Sequence, residues 1–539
     1  MKKFVTFLLT YSMLGMSLAG CGAAEKPISQ SSANAAEIEG VAIVLSDESI
    51  TVDGEAISTD DSAAVYAAND IVYYEEGKDF TYGEGTEADA HSQAEADAHT
   101  VVHITEPGTY VLSGALSAGQ VAVDLGEDAE EDPSAVVTLV LNDVDITCSV
   151  APAIIFYEVY ECGSADTETA SETVDTTAAG ANVLVADGTE NNISGSYVAR
   201  IYKPDSVELS EDGAEVVESK KLHKYDAAFY SKKSMNIGAW GEGTGVLNIN
   251  AENEGLDSEL HLTINGGNIN ITSGNDGINT NEDGVSVTTI NGGSVNIVVT
   301  GSTGEGDGID SNGWLVINGG TVTASACGFS GDSGIDSDMG IHVNGGTVIA
   351  SGNMLDRLEE GGQNYAVFTF ASTQAGGSTY ALKNAAGDTV AEYAPANDFS
   401  ILVVSAPELT AGEYTFWQGE TQLAASSGMG GGFGGGKNMM PGSQRPEDME
   451  NMTPPEGMEN MERPERGKGS REEVTMNEDG TITLPDGTSV DPSQMERPQG
   501  GQGSGFGGRG QGGGAVGEVT TTFTIVDGAN YFSGITAAE

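Results

Sequence analysis

The phrase Gly308-Ile309-Asp310-Ser311 is one of four similar phrases between positions 255 and 337. The others read Gly255-Leu256-Asp257-Ser258, Gly277-Ile278-Asn279-Thr280 and Gly334-Ile335-Asp336-Ser337. A second phrase, Ile264-Asn265-Gly266-Gly267 in its first copy, alternates with them. Its copies begin at Ile264, Ile290, Ile317 and Val343, which lie 26, 27 and 26 residues apart. A fixed period of this length is typical of a solenoid, in which each unit buries its apolar face by stacking on the next.

Apolar and polar residues alternate on both sides of the second phrase. Leu262 and Ile264 precede the turn, and Ile269 and Ile271 follow it. Alternation with β-branched residues on one face indicates a half-buried strand. Glycine at the turns permits positive φ and close backbone approach. Three short strands per repeat predict an all-β fold, specifically a parallel β-helix.

The N-terminus predicts export. Lys2-Lys3 is followed by an apolar stretch and then by Leu18-Ala19-Gly20-Cys21, which resembles a bacterial lipobox. We therefore expect a signal peptide at residues 1–21 and lipidation of Cys21, with a plain secretion signal as the alternative. The protein would be extracellular and anchored to the outer face of a bacterial membrane by its lipid. Residues 22–39 are expected to form a tether.

Composition divides the rest of the chain. We expect the β-helix at 40–352, a small β cap at 353–426 and a returning terminal strand of that cap at 517–539. Residues 427–516, rich in Gly, Met and Pro, predict a disordered insertion with at most one small hairpin near Ile482. Two surface insertions are expected within the β-helix, at Glu84–His99 and Gly195–Lys233. The second holds seven of the chain's 21 basic residues.

The chain is strongly acidic, with 82 Asp and Glu against 21 Lys and Arg, and a net charge of -61. Nucleic acid would be repelled, so cations are the expected ionic partners. In a parallel β-helix, acids beside the repeated glycines would stack about 4.8 Å apart, where ionised carboxylates repel. Ca²⁺ suits such stacked oxygens, and the alternative is that these side chains only form solvated turns. The expected ligands form two columns: Glu254, Asp276, Asp307 and Asp332, then Asp257, Asn279, Asp310 and Asp336.

Three cysteines follow Cys21, namely Cys148, Cys162 and Cys327. None has the spacing of a zinc ligand pair. The sequence leaves open whether Cys148 and Cys162 form a disulfide or remain free thiols.

The order of these segments resembles the carbohydrate-binding β-helix family of clostridial surface proteins, which is similar in fold to polysaccharide lyases. The resemblance rests on the lipobox, on Pro107–Gly114, on Leu139–Thr147, on Ala228–Lys233, on the repeated phrases and on Ser400–Pro407. It covers Glu106–Phe416 and implies a right-handed parallel β-helix, Ca²⁺ at its corners and binding of cellulose or acidic pectic chains. The insertions depart from the family, so the choice of polysaccharide does not carry over.

Three functions fit the sequence. The preferred one is a non-catalytic, calcium-stabilised, monomeric binder of polysaccharide, with Tyr230, Trp240 and Trp314 as candidate sugar-binding aromatics. A calcium-dependent polysaccharide lyase is the alternative. It would need a basic residue to remove a proton, and Lys232 and Lys233 are the candidates. The third is a structural surface protein or adhesin.

Overall fold

The computed structural model describes residues 39–426 and 519–538, with short strands at Thr475–Met476, Ile482–Thr483 and Ser489–Val490. The predicted signal peptide, Cys21 and most of the tether and of the 427–516 insertion lie outside the described residues. The all-β class expected from the sequence is confirmed: large sheets dominate, and the described helices are short.

One set of parallel strands, here called ladder A, runs through most of the described chain. Each strand pairs in parallel with the next. Its strands are Val41–Leu45, Gly108–Leu116, Val137–Cys148, Ala181–Ala186, Met235–Trp240, His261–Ile264, Val287–Ile290, Trp314–Ile317 and Gly340–Val343.

Ladder B follows ladder A along the chain within each repeat, after the Asn-Gly-Gly turn. It starts from the second half of Val137–Cys148 and is parallel throughout. Its further strands are Glu190–Gly195, Val246–Ala251, Asn268–Ser273, Ser294–Val299, Thr321–Ser325 and Thr347–Gly352.

Ladder C carries the Gly-Ile-Asp-Ser phrases. It is parallel after its first pair, Val65–Ala68 with Thr100–Ile104, which is antiparallel. The later strands are Gly119–Val123, Ile154–Phe156, Ala227–Ser231, Glu254–Ser258, Ile278–Thr280 and Ile309–Ser311.

Equivalent apolar residues stack in the interior of the ladders. In ladder A, Ile237 aligns with Ile264, then Ile290, Ile317 and Val343. The isoleucines are fully buried, and Val343 is 3% exposed. Burial of such a side chain contributes roughly 1.5–3 kcal/mol. Stacking therefore supplies the apolar burial that one repeat could not achieve alone.

The second glycine of each Asn-Gly-Gly turn has a backbone that L side chains rarely adopt. Gly293, for example, has φ +84°. A Cβ placed there would come within 2.5 Å of the carbonyl oxygen of Gly267, in the preceding repeat. Each repeat forms one rung of the ladders. Conformation and close approach of the rungs therefore both require glycine at this turn.

The two predicted insertions contain local structure of their own. In Glu84–His99, a short helix spans Gln93–Asp97 and begins with a capping box formed by Ser92 and Glu95. In Gly195–Lys233, Val198–Tyr202 pairs antiparallel with Lys221–Tyr225, and Glu208–Leu209 with Val216–Glu218. The remaining short elements are strands Thr51–Val52 and Glu55–Ala56 and the 3₁₀ turns Glu127–Glu131 and Pro204–Ser206.

The parallel pairing ends at Thr347–Gly352, whose next neighbour, Phe399–Ser405, is antiparallel. Phe399–Ser405 also pairs antiparallel with Tyr365–Gln374, and Tyr365–Gln374 pairs in parallel with Ala529–Ala537. The other strands of this region are Tyr380–Asn384, Thr389–Tyr393, Gly412–Gln418, Thr421–Ser426, Val519–Thr520 and Phe523–Ile525. A second core forms here, with stacked Phe368 and Phe416 at its centre. The antiparallel strand thus covers the edge that ladder B would otherwise expose.

Cys148, Cys162 and Cys327 are free thiols in this structure. The disulfide between Cys148 and Cys162 that the sequence left open is therefore not formed. Among the described residues, no helix is long and apolar enough to cross a membrane.

Candidate functional site

The acidic column that begins with Asp257 lies on ladder C, at equivalent positions of consecutive strands. Asp257 aligns with Asn279, and Asn279 aligns with Asp310. Asp336 continues the column beyond the last strand, because its backbone N–H donates to the carbonyl of Ile309 at 2.7 Å. The repeat therefore places these four side chains one rung apart.

In the column that begins with Glu254, three carboxylates accept hydrogen bonds from backbone N–H groups. The N–H of Asp307 donates to Oδ1 of Asp276 at 2.7 Å. The N–H of Ser333 donates to Oδ1 of Asp307 at 2.5 Å, and that of Gly306 to Oδ2 of Asp332 at 2.7 Å. Each carboxylate thus contacts the backbone of a neighbouring rung, which fixes its position.

Burial and mutual repulsion raise the pKa values of these carboxyl groups. Burial, followed by the charge of Asp310, raises the pKa of Asp276 to about 8. Burial is also the main cause for the others: the pKa of Asp307 rises to about 9, that of Asp310 to about 6 and that of Asp336 to about 8. In the protein alone, several of these groups therefore retain a proton near neutral pH.

Glu254 and Asp257 lie deepest in the two columns. Burial, and then the nearby negative charge of Asp257, raises the pKa of Glu254 well above its usual range. Burial, and then the charge of Glu259, does the same for Asp257. Asn281 donates to both oxygens of Asp257, at 2.8 and 3.0 Å. Acidic groups are therefore concentrated here, where burial and mutual repulsion disfavour their ionised forms.

Two buried oxygens at this position have no hydrogen-bond partner. They are Oε2 of Glu254 and Oδ1 of Asn279. The two side chains are neighbours, since Asn279 Nδ2 donates to Glu254 Oε1 at 3.3 Å. A buried oxygen without a donor costs free energy, and hard cations such as Ca²⁺ prefer oxygen ligands. The donor set therefore fits Ca²⁺.

Within residues 39–426 and 519–538, however, no three His, Cys, Asp or Glu side chains form a ready-made metal cluster. A cation at the column would therefore draw on amide oxygens such as Asn279 Oδ1, on backbone carbonyls or on water, besides the carboxylates.

Lys224 brings positive charge to the columns. It forms an ion pair with Asp226. Burial disfavours its charged form, but the attraction of Asp226 and Glu254 outweighs this effect, so the pKa of Lys224 is raised. The repeat pattern could not indicate this contact, because Lys224 belongs to the insertion rather than to the repeat.

The two candidate lyase bases are occupied by ion pairs. Lys232 pairs with Glu158, and Lys233 pairs with Glu130 at 2.7 Å and with Glu158 at 3.1 Å. Burial would lower the pKa of Lys233, but its hydrogen bonds to Glu130 and Glu158 raise it overall. A general base must be free to accept a proton, and Lys233 is held in its protonated form.

The three candidate aromatics are not brought together. Tyr230 is 1% exposed and is covered by Tyr225 of the insertion, with their ring centroids 5.2 Å apart. Its ring therefore presents no face to a sugar, and its hydroxyl donates to Glu259. Trp240 and Trp314 are both half-buried. They lie at opposite ends of their strands in ladder A, with two other strands between them.

Sequence reasoning missed the side chains that neighbour the columns from outside the phrases. Besides Lys224 and Asp226, these include Asp356, which accepts from the N–H of Ser337 at 3.0 Å. Asn281 was the one that a signal could have found, since it lies two residues after Asn279, directly past the end of the strand Ile278–Thr280.

Comparison with known proteins gives one family match. Residues 98–357 match the model of a family described as "Carbohydrate-binding domain-containing protein". A protein of the same description from Acetivibrio thermocellus is 29% identical over 171 residues, covering 32% of this chain and 44% of that protein. The chain thus spans less than half of that relative's length. The protein therefore contains a region that matches a carbohydrate-binding domain family.

A solved structure is also similar, the polysaccharide lyase-like protein from C. thermocellum, determined as a gadolinium derivative. It covers 60% of this chain and 97% of its own, with 20% identity and a TM-score of 0.32. At this level the likeness carries no argument about fold or function.

Proposed function

We propose that the protein is a non-catalytic, calcium-stabilised carbohydrate-binding protein of the bacterial cell surface. The observation that carries the proposal is an overlap. The segment matching the carbohydrate-binding family, residues 98–357, contains both acidic columns and every strand of the three ladders except Val41–Leu45 and Val65–Ala68.

In this proposal the three ladders are the faces of a right-handed parallel β-helix. The support is that one strand of each ladder occurs in each repeat between Ala227 and Ser325, and that pairing between these repeats is parallel in each ladder. The proposed role of the fold is to present a long, regular surface, which suits a polymer of repeating units.

Ca²⁺ is proposed to bind between rungs at the columns, with Glu254 and Asn279 among its ligands. When bound, it would supply positive charge that offsets the repulsion among the stacked carboxylates. The orphaned oxygens of these two residues support the assignment. The proposed role is structural, because the described lysines near the columns are engaged in ion pairs with acids.

Anchoring through a lipid on Cys21 completes the proposal and rests on the sequence alone. A Cys21→Ala variant is expected to leave the membrane fraction and to appear in the medium, while labelled fatty acid is incorporated only into the wild type. Incorporation of fatty acid into the variant would contradict the assignment.

The binding function is tested by retention of the purified protein on insoluble cellulose and pectin, with Ca²⁺ and with chelator. Retention on either polymer supports the proposal. Absence of retention on both, with Ca²⁺ present, favours the structural or adhesin function instead. A rise of unsaturated-product absorbance on polygalacturonate would establish the lyase.

A further inference from the structure

The described part of the chain contains an open groove of about 460 Å³ on the outer face of ladder A, away from the acidic columns. Its floor is formed by outward-facing residues of successive strands, and residues 172–177, here called the strap, form its wall. The strap is fixed in place through Thr176. Its Oγ1 lies 2.8 Å from Asn236 Oδ1 and 2.7 Å from Thr263 Oγ1, and its carbonyl accepts from Asn236 Nδ2 at 2.7 Å.

A row of exposed amides runs the length of the groove. Asn291 Nδ2 donates to Asn265 Oδ1, Asn318 to Asn291, and Asn344 to Asn318, each at 2.9 Å. The four residues are the Asn of the repeated Asn-Gly-Gly phrase. Strand spacing places them over roughly 14 Å. The row is therefore held in a fixed orientation by its own hydrogen bonds.

Each amide in the middle of the row has hydrogen-bonding capacity to spare. An Asn side chain has two N–H donors and two acceptor lone pairs. Asn291 uses one N–H toward Asn265 and one lone pair toward Asn318. One donor and one acceptor remain on the exposed side, and the same pair recurs at the next rung. A ligand with evenly spaced hydroxyl groups meets the same partners at each step.

The charges around the groove exclude an acidic ligand. Among the described residues that line it there is no lysine or arginine. Glu172 and Asp175 of the strap are exposed. Hydrogen bonds from the side chain and backbone of Thr177 lower the pKa of Asp175, so it remains ionised. A chain of uronic acids would face these carboxylates, with His342 as the one titratable basic side chain among the described residues of the lining.

We propose that this groove binds a neutral, extended polysaccharide lengthwise, through hydrogen bonds between its hydroxyl groups and the Asn265–Asn344 row. The inference rests on the proposed carbohydrate-binding function and narrows it to one place and one class of glycan. Specificity comes from polar contacts, since the lining holds no Trp, Tyr or Phe among the described residues.

A second amide row offers a matched control. Asn270 Nδ2 donates to Asn248 Oδ1 at 2.9 Å on ladder B, outside the groove. The groove variant is Asn291→Ala with Asn318→Ala, and the control variant is Asn248→Ala with Asn270→Ala. Each removes two hydrogen-bonded amides from adjacent rungs, so both lose similar structure.

The test is affinity gel electrophoresis with hydroxyethyl cellulose, xyloglucan or polygalacturonate embedded in the gel, with melting temperatures measured in parallel. We expect wild type and the control variant to be retarded by a neutral polymer. The groove variant should bind that polymer at least tenfold more weakly. A Glu172→Lys variant should gain retardation by polygalacturonate, because it removes one repelling carboxylate and adds a cation.

The outcomes separate the two levels of the proposal. Two results would show that the groove is not the site, although the protein still binds carbohydrate. In one, the neutral polymers retard both double variants as strongly as wild type. In the other, binding of both double variants to the polymers is weakened equally. If only polygalacturonate retards the wild type, the neutral class is wrong. If none of the three polymers retards it, the carbohydrate-binding function itself fails.

Discussion

Asn279 Nδ2 donates a hydrogen bond to Glu254 Oε1 across one rung of the structure, at 3.3 Å, while Oε2 of Glu254 and Oδ1 of Asn279 have no hydrogen-bond partner. Both side chains are buried, at 7% and 6% exposure. A buried polar oxygen without a hydrogen-bond donor costs free energy. A bound cation would make the arrangement favourable, and the following predictions test this.

Calcium should stabilise the protein. Because Ca²⁺ would bind the folded columns and not the unfolded chain, we expect the melting temperature to rise with Ca²⁺ and to fall in excess chelator. Differential scanning calorimetry at several Ca²⁺ concentrations checks this. A midpoint that does not respond to Ca²⁺ or to chelator would contradict the proposed sites.

Without calcium, stability should decrease as the pH rises. Asp276, Asp307 and Asp336 have folded pKa values of about 8, 9 and 8, well above the ordinary aspartate value of 3.8. Such groups favour the folded state fully below their unfolded pKa, and this contribution is lost as the pH rises through the folded pKa. Denaturant titrations in chelator from pH 4 to 9 should therefore show a falling free energy of unfolding, and Ca²⁺ should reduce that fall.

Replacement of Asp310 by Asn should have opposite effects with and without calcium. Asn279 shows that the column accepts an amide. In chelator at pH 8, the substitution removes a buried charge and should stabilise the protein by on the order of 1 kcal/mol. With Ca²⁺ it removes a charged oxygen, and calcium affinity measured by calorimetry should fall roughly tenfold. Asp283→Asn, at an exposed carboxylate, is the control and should change neither.

Replacement of Lys233 by Met should affect stability rather than chemistry. The side chain is 11% exposed and bonds to Glu130 and Glu158. Its loss should cost roughly 1.5–3 kcal/mol in urea titrations. Wild type and variant should both give no unsaturated product from polygalacturonate. Product formed by the wild type and abolished in the variant would restore Lys233 as a base.

Replacement of Gly293 by Ala should destabilise the protein more than replacement of Gly284. Both have positive φ, at +84° and +69°. At Gly284 a Cβ meets nothing within 4 Å, so only the backbone cost of about 1–2 kcal/mol applies. At Gly293 the clash with Gly267 adds to it. Equal losses in a urea titration would mean that the rungs separate easily at this turn.

Much of the repeated structure could be predicted from the local sequence. The alignment of Asp257, Asn279 and Asp310 follows from their equivalent positions in the recurring Gly-Ile-Asp-Ser phrase, because parallel pairing aligns these phrases. The burial of Tyr230 could not be predicted in this way. It occupies the same position as Asp257 on the preceding strand, and Tyr225, from a strand outside the repeat, packs against its ring.

The groove illustrates the same limit. Its floor repeats a phrase visible in the sequence, but its wall comes from residues 172–177, whose contact Thr263 lies 87 positions from Thr176. No periodic signal relates the two segments.

The sequence by itself determined the all-β class, the period and the two columns of acids, since these depend on short phrases that recur in successive repeats. Only the tertiary structure decided which lysines are neutralised, which aromatic is covered and where a groove opens. Those outcomes depend on segments outside the repeat. The period of the repeat does not determine which strands such a segment packs against. Packing and charge between residues distant in sequence then fix where it lies.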